Sequence, residues 1–498
     1  MTLQPLGIVV AYLLLALGVG LVAYRVGGDD AEDFYLASRT LGTLVLLFTT
    51  FATLLSAFTF FGGPNLAYSA GPEWILVMGV MDGVLFAILW YVIGYRQWLI
   101  GRARDYVTLG EMLGDRFASP ALRGVVAGVS LLWLFPYVML QQMGAGEALR
   151  GLTGGTVPYW GGAALITLFM IVYVMLAGLR GVAWTDTLQG LFMLSVLWVA
   201  VVWIVGAVGG VGAATRGMID ANPDFAALGG GLYTPQFIIS SAVTIAFGVT
   251  MFPQINQRFF VARSATVLKR SFALWPVLVL LLFVPAFMLG AWASGLPIEV
   301  PEGANVLSVL LAEYTPGWFA ALVVAGAMAA MMSSSDSMLL SGSSYFTRDL
   351  YRPFVSPDAG ERREAWIARV GVAVFATLAF VASLSRPGTL IEVGDTAFSG
   401  FALLAPPVMI ALYWEATTAD GMLVGVGVPQ LLYLVHVLVP AVPVDVAGTT
   451  ISLLARSYGG WDVALGFMLF GAVLTVGVSL VSTPTAGEDA TAFAVGSD

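Results

Sequence analysis

Thirteen windows of about 20 mainly apolar residues run along the chain, and each is long enough to cross the hydrocarbon core of a bilayer. They lie near 6–24, 41–63, 74–99, 124–149, 158–178, 184–209, 236–260, 272–296, 317–346, 366–385, 395–414, 421–441 and 462–482. Only 10% of the residues are charged, against about 25% in a typical soluble domain. The pattern predicts an all-α integral membrane protein with one membrane domain over residues 1–482 and a short acidic tail at 483–498.

The distribution of basic residues predicts the orientation of the spans. If the N-terminus lies outside, 17 of the 21 Lys and Arg residues fall in inner loops or at inner span ends. Only Arg150, Arg216, Arg386 and Arg456 fall outside. Because inner loops carry the excess of basic residues, we expect the N-terminus outside and the C-terminus in the cytoplasm. We expect a multi-pass protein of a prokaryotic plasma membrane, and a sequence pI near 4.7 hints at a salt-loving host.

Composition excludes several function classes. The net charge of −9 argues against a nucleic-acid partner, which needs clustered Lys and Arg. The chain has no cysteine, and its one histidine, His436, lies within an apolar window. Paired metal-ligand histidines and a Gly-x-Ser-x-Gly motif are both missing. We therefore expect no enzyme activity, and no pattern predicts an obligate protein partner.

Two windows are interrupted by helix-breaking residues. The second contains Gly62, Gly63 and Pro64, and the seventh contains Pro253 followed by Gln254. Two interrupted spans five spans apart are typical of an inverted repeat, in which the discontinuous helices meet near the bilayer midplane and form a site. Two unrelated kinks, with Ser and Thr hydroxyls bonded to the preceding turn, remain an alternative.

The ninth window carries a stripe of small and hydroxyl residues at spacings of about one turn. The stripe consists of Gly326, Ala330, Ser333, Ser334, Ser337, Ser341 and Ser344. Such stripes often serve close helix packing. Ser333 and Ser334 could instead offer neutral oxygens to a hard monovalent cation such as sodium, together with carbonyls freed at the broken span.

Carboxylates within apolar windows are candidates for function because an unpaired buried charge is costly. Asp82, Asp336 and Asp395 are in this position, and each could carry a proton or pair with a helix end or an arginine. Asp186 follows a glycine-rich turn between the fifth and sixth windows, where it could cap the next helix.

Three ordered segments resemble the sodium:solute symporter family, whose members move proline, pantothenate, monocarboxylates or sugars. These are 177–189 with its Trp-Thr-Asp and glutamine, 326–352 with its paired hydroxyls, Asp-Ser and Asp-Leu-Tyr, and 56–71 with its Gly-Pro. The resemblance implies a leucine-transporter-like fold. Its 5+5 inverted-repeat core would cover about 41–414, with discontinuous spans two and seven, and the spans at 6–24, 421–441 and 462–482 would lie outside it.

The resemblance also implies one site for co-transported sodium. Its ligands would be the main-chain oxygens of Ala52, Leu55 and Ala330 and the hydroxyls of Ser333 and Ser334. Asp186 would lie near the inner sodium path, and Asp336 follows the paired serines on the same side.

The substrate pocket is where this chain departs from the proline carriers of the family. Their second-span aspartate is matched by Leu54, and their seventh-span tryptophan and tyrosine by Ile245 and Val249, which argues against a proline carrier. A polar pocket remains possible. Its predicted lining is Ser56, Tyr137, Gln141, Gln142, Phe247, Pro253 and Gln254.

The resulting hypothesis is sodium-coupled symport of a small organic solute, a carboxylate, vitamin or amino acid, by alternating access in the lipid bilayer. One alternative is a proton-coupled carrier that uses an intramembrane aspartate. Another is a non-transporting membrane sensor. The segment after the last span is too short for a soluble signalling domain, which argues against this alternative. The sequence leaves open the substrate, the stoichiometry and the oligomeric state.

Overall fold

The computed structural model describes residues 4–26, 39–301, 304–439, 441–446, 449–484, 487–488 and 493. Within these ranges eleven helices are long and apolar enough to span a membrane, or up to thirteen spans if each of two bent helix pairs counts as one. Each of the thirteen predicted windows coincides with one of these helices or pairs. The all-α membrane fold is therefore confirmed.

The helices and strands are numbered here in chain order. They are α1 (Gln4–Val26), α2 (Thr43–Leu54), α3 (Phe58–Ala70), α4 (Leu76–Arg104), α5 (Leu109–Arg116), α6 (Pro120–Leu152), α7 (Tyr159–Ala207), α8 (Val211–Ala221), α9 (Pro235–Thr250), α10 (Pro253–Val261), α11 (Ala265–Ala293), α12 (Val306–Tyr314), α13 (Gly317–Phe354), α14 (Glu361–Ser383), α15 (Leu390–Ala402), α16 (Ala405–Tyr413), α17 (Ala419–Leu438), β1 (Val442–Val446), β2 (Thr449–Leu453), β3 (Ser457–Tyr458), β4 (Trp461–Asp462) and α18 (Val463–Val481). β1 pairs antiparallel with β2, and β3 pairs antiparallel with β4.

Helix α7 supplies two spans because it folds back on itself. Its backbone is helical from Tyr159 to Ala207, where the sequence predicts two spans with a turn between them. Tyr173 and Thr185 are 12 residues apart, yet their hydroxyls are hydrogen-bonded. Along a straight helix, residues 12 positions apart are separated by about 18 Å, which is too far for their hydroxyls to meet. The chain must therefore reverse between these two residues.

Helix α13 forms the centre of the bundle. In its most apolar window 83% of the residues are buried, against 22% for α1 at the periphery. Large apolar side chains point outwards on the peripheral helices, for example Leu14, Trp160 and Leu480. Such exposed apolar side chains suit contact with lipid. The hydroxyl stripe on α13 thus lies in the interior of the protein.

Several arginines gather at one end of the bundle, which we name the basic end. Arg39 donates to the carbonyl oxygen of Phe260 (3.3 Å) and Arg102 to that of Arg263 (2.9 Å). Arg123 pairs with Asp349 at 2.8 Å. Segments that the sequence assigns to the inner side therefore lie together. Which side of a membrane the basic end faces remains a prediction.

Two described residues of the tail also contact the basic end. Phe493 is buried, and its carbonyl oxygen accepts a hydrogen bond of 2.5 Å from Arg96. The guanidinium of Arg116 lies 4.7 Å from the centre of the Phe493 ring. Glu488 accepts from the main-chain N–H of Ala419 at 3.1 Å. The remaining tail residues, except 483–484 and 487, lie outside the described part of the chain.

Candidate sodium and solute sites

The second predicted span is broken between α2 and α3, which meet at an angle of 62°. The break lies at Leu55, whose backbone is extended (φ −76°, ψ 126°). The prediction of a break at Gly62, Gly63 and Pro64 is wrong in position. Those residues are helical, because a π-helical turn over Phe58–Gly62 precedes Pro64 and lets the helix continue through a residue that lacks an N–H.

Gly63 serves close packing. A Cβ atom at Gly63 would overlap the ring of Phe287, and one at Gly290 would overlap the backbone of Pro64. The two glycines allow α3 and α11 to approach each other closely. The glycines of the motif therefore fix a helix contact, and the chain breaks two turns earlier.

The seventh predicted span is broken where the sequence predicts it. Helices α9 and α10 are bent by 56°, and Pro253 opens α10 after an extended Phe252 (φ −56°, ψ 131°). Tyr137 of α6 contacts both breaks. Its hydroxyl donates to Ser56 at 3.2 Å, and its ring centre lies 5.1 Å from that of Phe252. The two discontinuities are thus neighbours, as the inverted-repeat hypothesis requires.

The paired serines of α13 face the first break. The Ser334 hydroxyl donates to the carbonyl oxygens of Leu55 and of Thr53, the latter at 2.8 Å. The Ser333 hydroxyl donates to Asp186 Oδ1 at 2.5 Å. Hydroxyls that give their protons away keep their lone pairs for a cation. Leu55, Ser333 and Ser334 are therefore brought together as predicted.

Ala52 and Ala330 occupy the turns next to this cluster. Ala52 lies in the last turn of α2, and its carbonyl oxygen accepts from the N–H of Leu55 at 3.2 Å. Ala330 lies on α13 one turn before Ser333 and Ser334, and both alanines are fully buried. Neutral carbonyl and hydroxyl oxygens without a strong net charge suit a monovalent cation. The five predicted sodium ligands remain a prediction.

The hydroxyls of the stripe differ in their hydrogen bonding. Ser341 donates back to α13 itself, to the oxygen of Met338, as the neighbouring Ser335 does to that of Met331. Ser344 donates to the oxygen of Leu340 and also accepts from Gln257 of α10 at 3.0 Å. Ser333, Ser334 and Ser337 bond across to other helices. Close packing alone therefore explains only part of the stripe.

Arg258 is a residue of this site that the sequence alone does not single out. It lies on α10, is only 2% exposed, and donates to Asp186 Oδ2 (3.3 Å), Thr49 (3.2 Å) and Ser337 (2.5 Å). From the sequence, Arg258 lies near the end of the seventh window and is counted among the basic residues of the inner loops and inner span ends. The sequence feature that could have indicated its role is the position of an arginine little more than one turn after the proline break.

Asp186 links the elements around this arginine. It accepts from Thr49 (2.6 Å) and Ser333 (2.5 Å) and pairs with Arg258. The network thus joins α2, α7, α10 and α13 between the breaks and the basic end. The buried carboxylate and guanidinium neutralise each other. The pair therefore adds no net charge next to the neutral carbonyl and hydroxyl oxygens of the predicted sodium site. The prediction that Asp186 caps a helix receives no support, since its bonds run between helices.

Of the other candidate carboxylates, Asp336 lies close enough to interact electrostatically with Asp186, whereas Asp82 and Asp395 lie elsewhere. Asp336 is buried, and its Oδ1 has no hydrogen-bond partner among the described residues. The same holds for both carboxylate oxygens of Asp82, on α4. Asp395 lines a wide outer vestibule and leaves its Oδ1 without a partner in the described chain. A functional role for the three stays a prediction.

The predicted polar solute pocket is only partly assembled. Tyr137 lines a central cavity next to the breaks and bonds to Ser56. Gln141 binds the N–H of Ala57 (2.9 Å) and the oxygen of Tyr137 (3.1 Å). Gln142 donates to the oxygen of Ala376 at 2.9 Å. Of the predicted set, Phe247, Pro253 and Gln254 are also absent from the cavity lining.

A vestibule of about 930 Å³ opens at the end opposite the basic end. Phe61 of α3 lines it, whereas Phe58, one turn earlier, lines the central cavity. Arg386 lies in its wall, 3.1 Å from Glu147 and 3.8 Å from the centre of the Tyr159 ring. The central cavity is therefore approached from this side, while the Asp186 network closes the other.

Two broken helices that meet beside a buried oxygen cluster, in a bundle open on one side, define a secondary transporter of leucine-transporter-like fold. The model of the Sodium:solute symporter family matches residues 34–428, and the chain belongs to this family.

Relatives and solved structures agree with this assignment. The chain is 29% identical to the sodium/pantothenate symporter of Escherichia coli (strain K12), over 87% of this chain and 91% of that protein. It is 26% identical to the sodium/proline symporter of the same organism, over 85% of this chain and 86% of that protein.

A Na⁺-coupled sialic acid symporter in an outward-open state superposes with a TM-score of 0.78, at 20% identity over 97% of this chain and 99% of that one. Mhp1, a nucleobase-cation-symport-1 family transporter, superposes with a TM-score of 0.57, at 14% identity over 94% of this chain and 99% of that one. These likenesses confirm the fold, and the family confirms sodium-coupled symport.

Proposed function

We propose that the chain carries a small organic solute into the cell together with sodium, which is held by Ala52, Leu55, Ala330, Ser333 and Ser334. The observation that carries the proposal is the bridge from the Ser334 hydroxyl to the oxygen of Leu55. It brings a neutral hydroxyl of α13 to a carbonyl at the break, and a cation coordinated by both oxygens would tie the two elements together. The basic end faces the cytoplasm and the vestibule faces outward, following the positive-inside rule.

Coupling follows from differential affinity between two states. Sodium that bridges α13 and the break stabilises the state in which the vestibule is open and the basic end is closed. Opening the basic end requires α2 and α10 to separate from α7 and α13, which breaks the bonds of Thr49 and Arg258 to Asp186. Sodium leaving towards Asp186 competes with the guanidinium for this carboxylate and so favours opening.

The solute is a small molecule of the kind that the relatives named above transport. Pantothenate and proline belong to the first panel to be tested, because those relatives are sodium/pantothenate and sodium/proline symporters. A proton-coupled carrier or a sensor has no counterpart among the relatives named here.

The test is uptake of a radiolabelled panel into sodium-free proteoliposomes under an inward sodium gradient, with potassium replacing sodium as the control. We expect accumulation of a solute that depends on sodium. Ser333→Ala and Ser334→Ala should lose this dependence. Ser335→Ala is the matched control, because the hydroxyl of this buried neighbour finds its one partner within the described chain on its own helix, at Met331, and the variant should keep sodium-driven uptake. Accumulation that follows a proton gradient and persists in both variants would overturn the proposal.

A further inference from the structure

The central cavity beside the breaks has an apolar lining. Around it stand aromatic rings, among them Phe58, Trp275 and Phe398, and aliphatic side chains such as Leu54. Among the described residues that line it, the polar groups are the hydroxyls of Thr59 and Tyr137 and the indole N–H of Trp275, which has no hydrogen-bond partner there, and no lining residue carries a charge or an amide side chain. Cavities of this kind bind the apolar part of a ligand and use few polar groups to orient it.

The rings close tightly on one another. The centre of the Phe398 ring lies 5.3 Å from that of Phe58 and 5.3 Å from that of Tyr137. The space left between them is about 20 Å³, so a solute must part these rings to bind. Replacement of ring contacts by contacts with a branched or aromatic body costs little, because both are apolar. A polyhydroxylated body would leave hydroxyls without partners.

An ammonium group would find no counter-charge in this cavity. The candidate carboxylates Asp82, Asp336 and Asp395 are not part of its lining. Asp186 is also outside the lining and is paired with Arg258. An ammonium brought in from water would lose its hydration without gaining a partner. The lining therefore selects against amino acids and amines.

A carboxylate has one favourable place. Leu55 lines the cavity, and its carbonyl oxygen belongs to the proposed sodium site. A carboxylate at the Leu55 end of the cavity would therefore face the sodium ion. Bound sodium is then the positive charge that the protein itself does not supply, and each ligand raises the affinity for the other.

We propose that the co-transported solute is a monocarboxylate whose branched aliphatic or aromatic body carries no ammonium, hydroxyl or amide group, bound with its carboxylate towards the sodium side. This inference rests on the proposed function and deepens it. It separates this chain in specificity from proline carriers, and it favours acids that are less polar than pantothenate.

Matched ligands that differ in one group test this inference. Binding to the purified protein is followed by tryptophan fluorescence, to which Trp275 of the cavity contributes, and by equilibrium dialysis. The two acid and amino-acid pairs are 3-phenylpropionate with phenylalanine and 4-methylpentanoate with leucine, and 4-methylpentanamide is the uncharged analogue. We expect the acids to bind in sodium at least about tenfold more tightly than their amino acids. The acids should lose affinity in potassium, and the amide should respond little to the exchange.

Leu54→Asp places a carboxylate in the cavity wall and should shift the preference towards the amino acid of each pair. Leu228→Asp adds the same carboxylate at a loop position that is 81% exposed and outside the cavity lining, and it is the control, with the wild-type preference retained. The wild-type series decides the question by itself if Leu54→Asp fails to fold.

The inference is overturned if the amino acids or pantothenate bind as tightly as the acids, or if none of the acids binds in sodium. Sodium-dependent binding of those other ligands would leave the proposed function intact. Binding of the acids that is equal in sodium and potassium would instead count against the sodium coupling itself.

Discussion

At the scale of single residues, the buried pair of Arg258 and Asp186 is the part of the site that depends most on the fold. The sequence predicts Asp186 near the sodium path from a motif, but pairing requires knowing that α10 and α7 face each other. The guanidinium is shared among Asp186, Thr49 and Ser337. All three bonds come from Nη2, while Nη1 donates to the carbonyl oxygen of Gln254 at 3.3 Å. The rigid fork of a guanidinium holds two donor nitrogens in fixed positions, whereas a lysine has only one nitrogen.

Removing one member of this pair should be far more harmful than removing both. Arg258→Met leaves a buried carboxylate unpaired, and we expect a loss of about 3–5 kcal/mol in stability. In Asp186→Asn with Arg258→Met no charge is left, so much of this loss should be recovered. Thermal unfolding in detergent measures both variants.

Arg270→Met is the control for this pair, because it removes one arginine at an exposed position and should leave the unfolding temperature nearly unchanged. A double variant as unstable as Arg258→Met would contradict the assigned pairing. Independently, sodium-driven uptake by Arg258→Lys should be weakened, since one ammonium cannot replace the two nitrogens that bond to Gln254 and to the Asp186 network.

At the scale of elements, the sequence predicts which spans are broken but places one break incorrectly. Pro253 opens α10, as its missing N–H favours. Pro64 instead lies in a continuous helix behind a π-helical turn, and the break falls at Leu55, which no Gly or Pro marks. Tertiary contacts made by Ser334 and Tyr137 at that point are not readable from local sequence.

The close contact of α3 with α11 gives a prediction for Gly63. Gly63→Ala should destabilise the protein by about 1–3 kcal/mol, because the new methyl group overlaps Phe287 in a packed interface. Gly128→Ala on α6 meets no atom within 4 Å and should be neutral or slightly stabilising. Unfolding temperatures in detergent compare the two. Equal effects at both positions would show that Gly63 is not needed for packing.

The loop after α3 gives a prediction about pH. Glu73 accepts from the N–H of Gly229 at 2.9 Å, and its burial raises the pKa of its carboxyl above the usual value. A folded-state pKa above the unfolded one means that the folded protein binds the extra proton, so stability falls as pH rises through this pKa.

Glu73→Gln keeps an acceptor oxygen for Gly229 but cannot ionise. Its unfolding temperature relative to the wild type should therefore increase between about pH 4 and about pH 8. A difference that is constant over this range would contradict the effect of burial on Glu73.

At the scale of the whole molecule, the thirteen apolar windows and the alternation of basic residues were sufficient to predict the fold class and the number of spans. Helix packing could not be predicted in the same way. The central position of α13 is one example, because its span is less hydrophobic than that of the peripheral α1 although far more of it is buried. The apolar nature of the central cavity is another, since it depends on which faces of seven helices meet.

The absence of cysteine allows accessibility to be mapped with single cysteine variants. Leu66→Cys lines the vestibule and should react with a membrane-impermeant reagent added outside, faster in sodium than in potassium. Leu228→Cys is 81% exposed in a loop of the same side and should react equally in both ions. Reaction of both positions only from the cytoplasmic side would contradict the proposed orientation.

The most direct test of the central claim is equilibrium binding of radiolabelled sodium to the purified protein and to two serine variants. Wild-type protein and Ser335→Ala should bind sodium alike, and Ser334→Ala should lose at least about tenfold in affinity, because it removes a ligand oxygen at the break. Sodium binding by Ser334→Ala that equals that of the wild type would contradict the site and the coupling mechanism built on it.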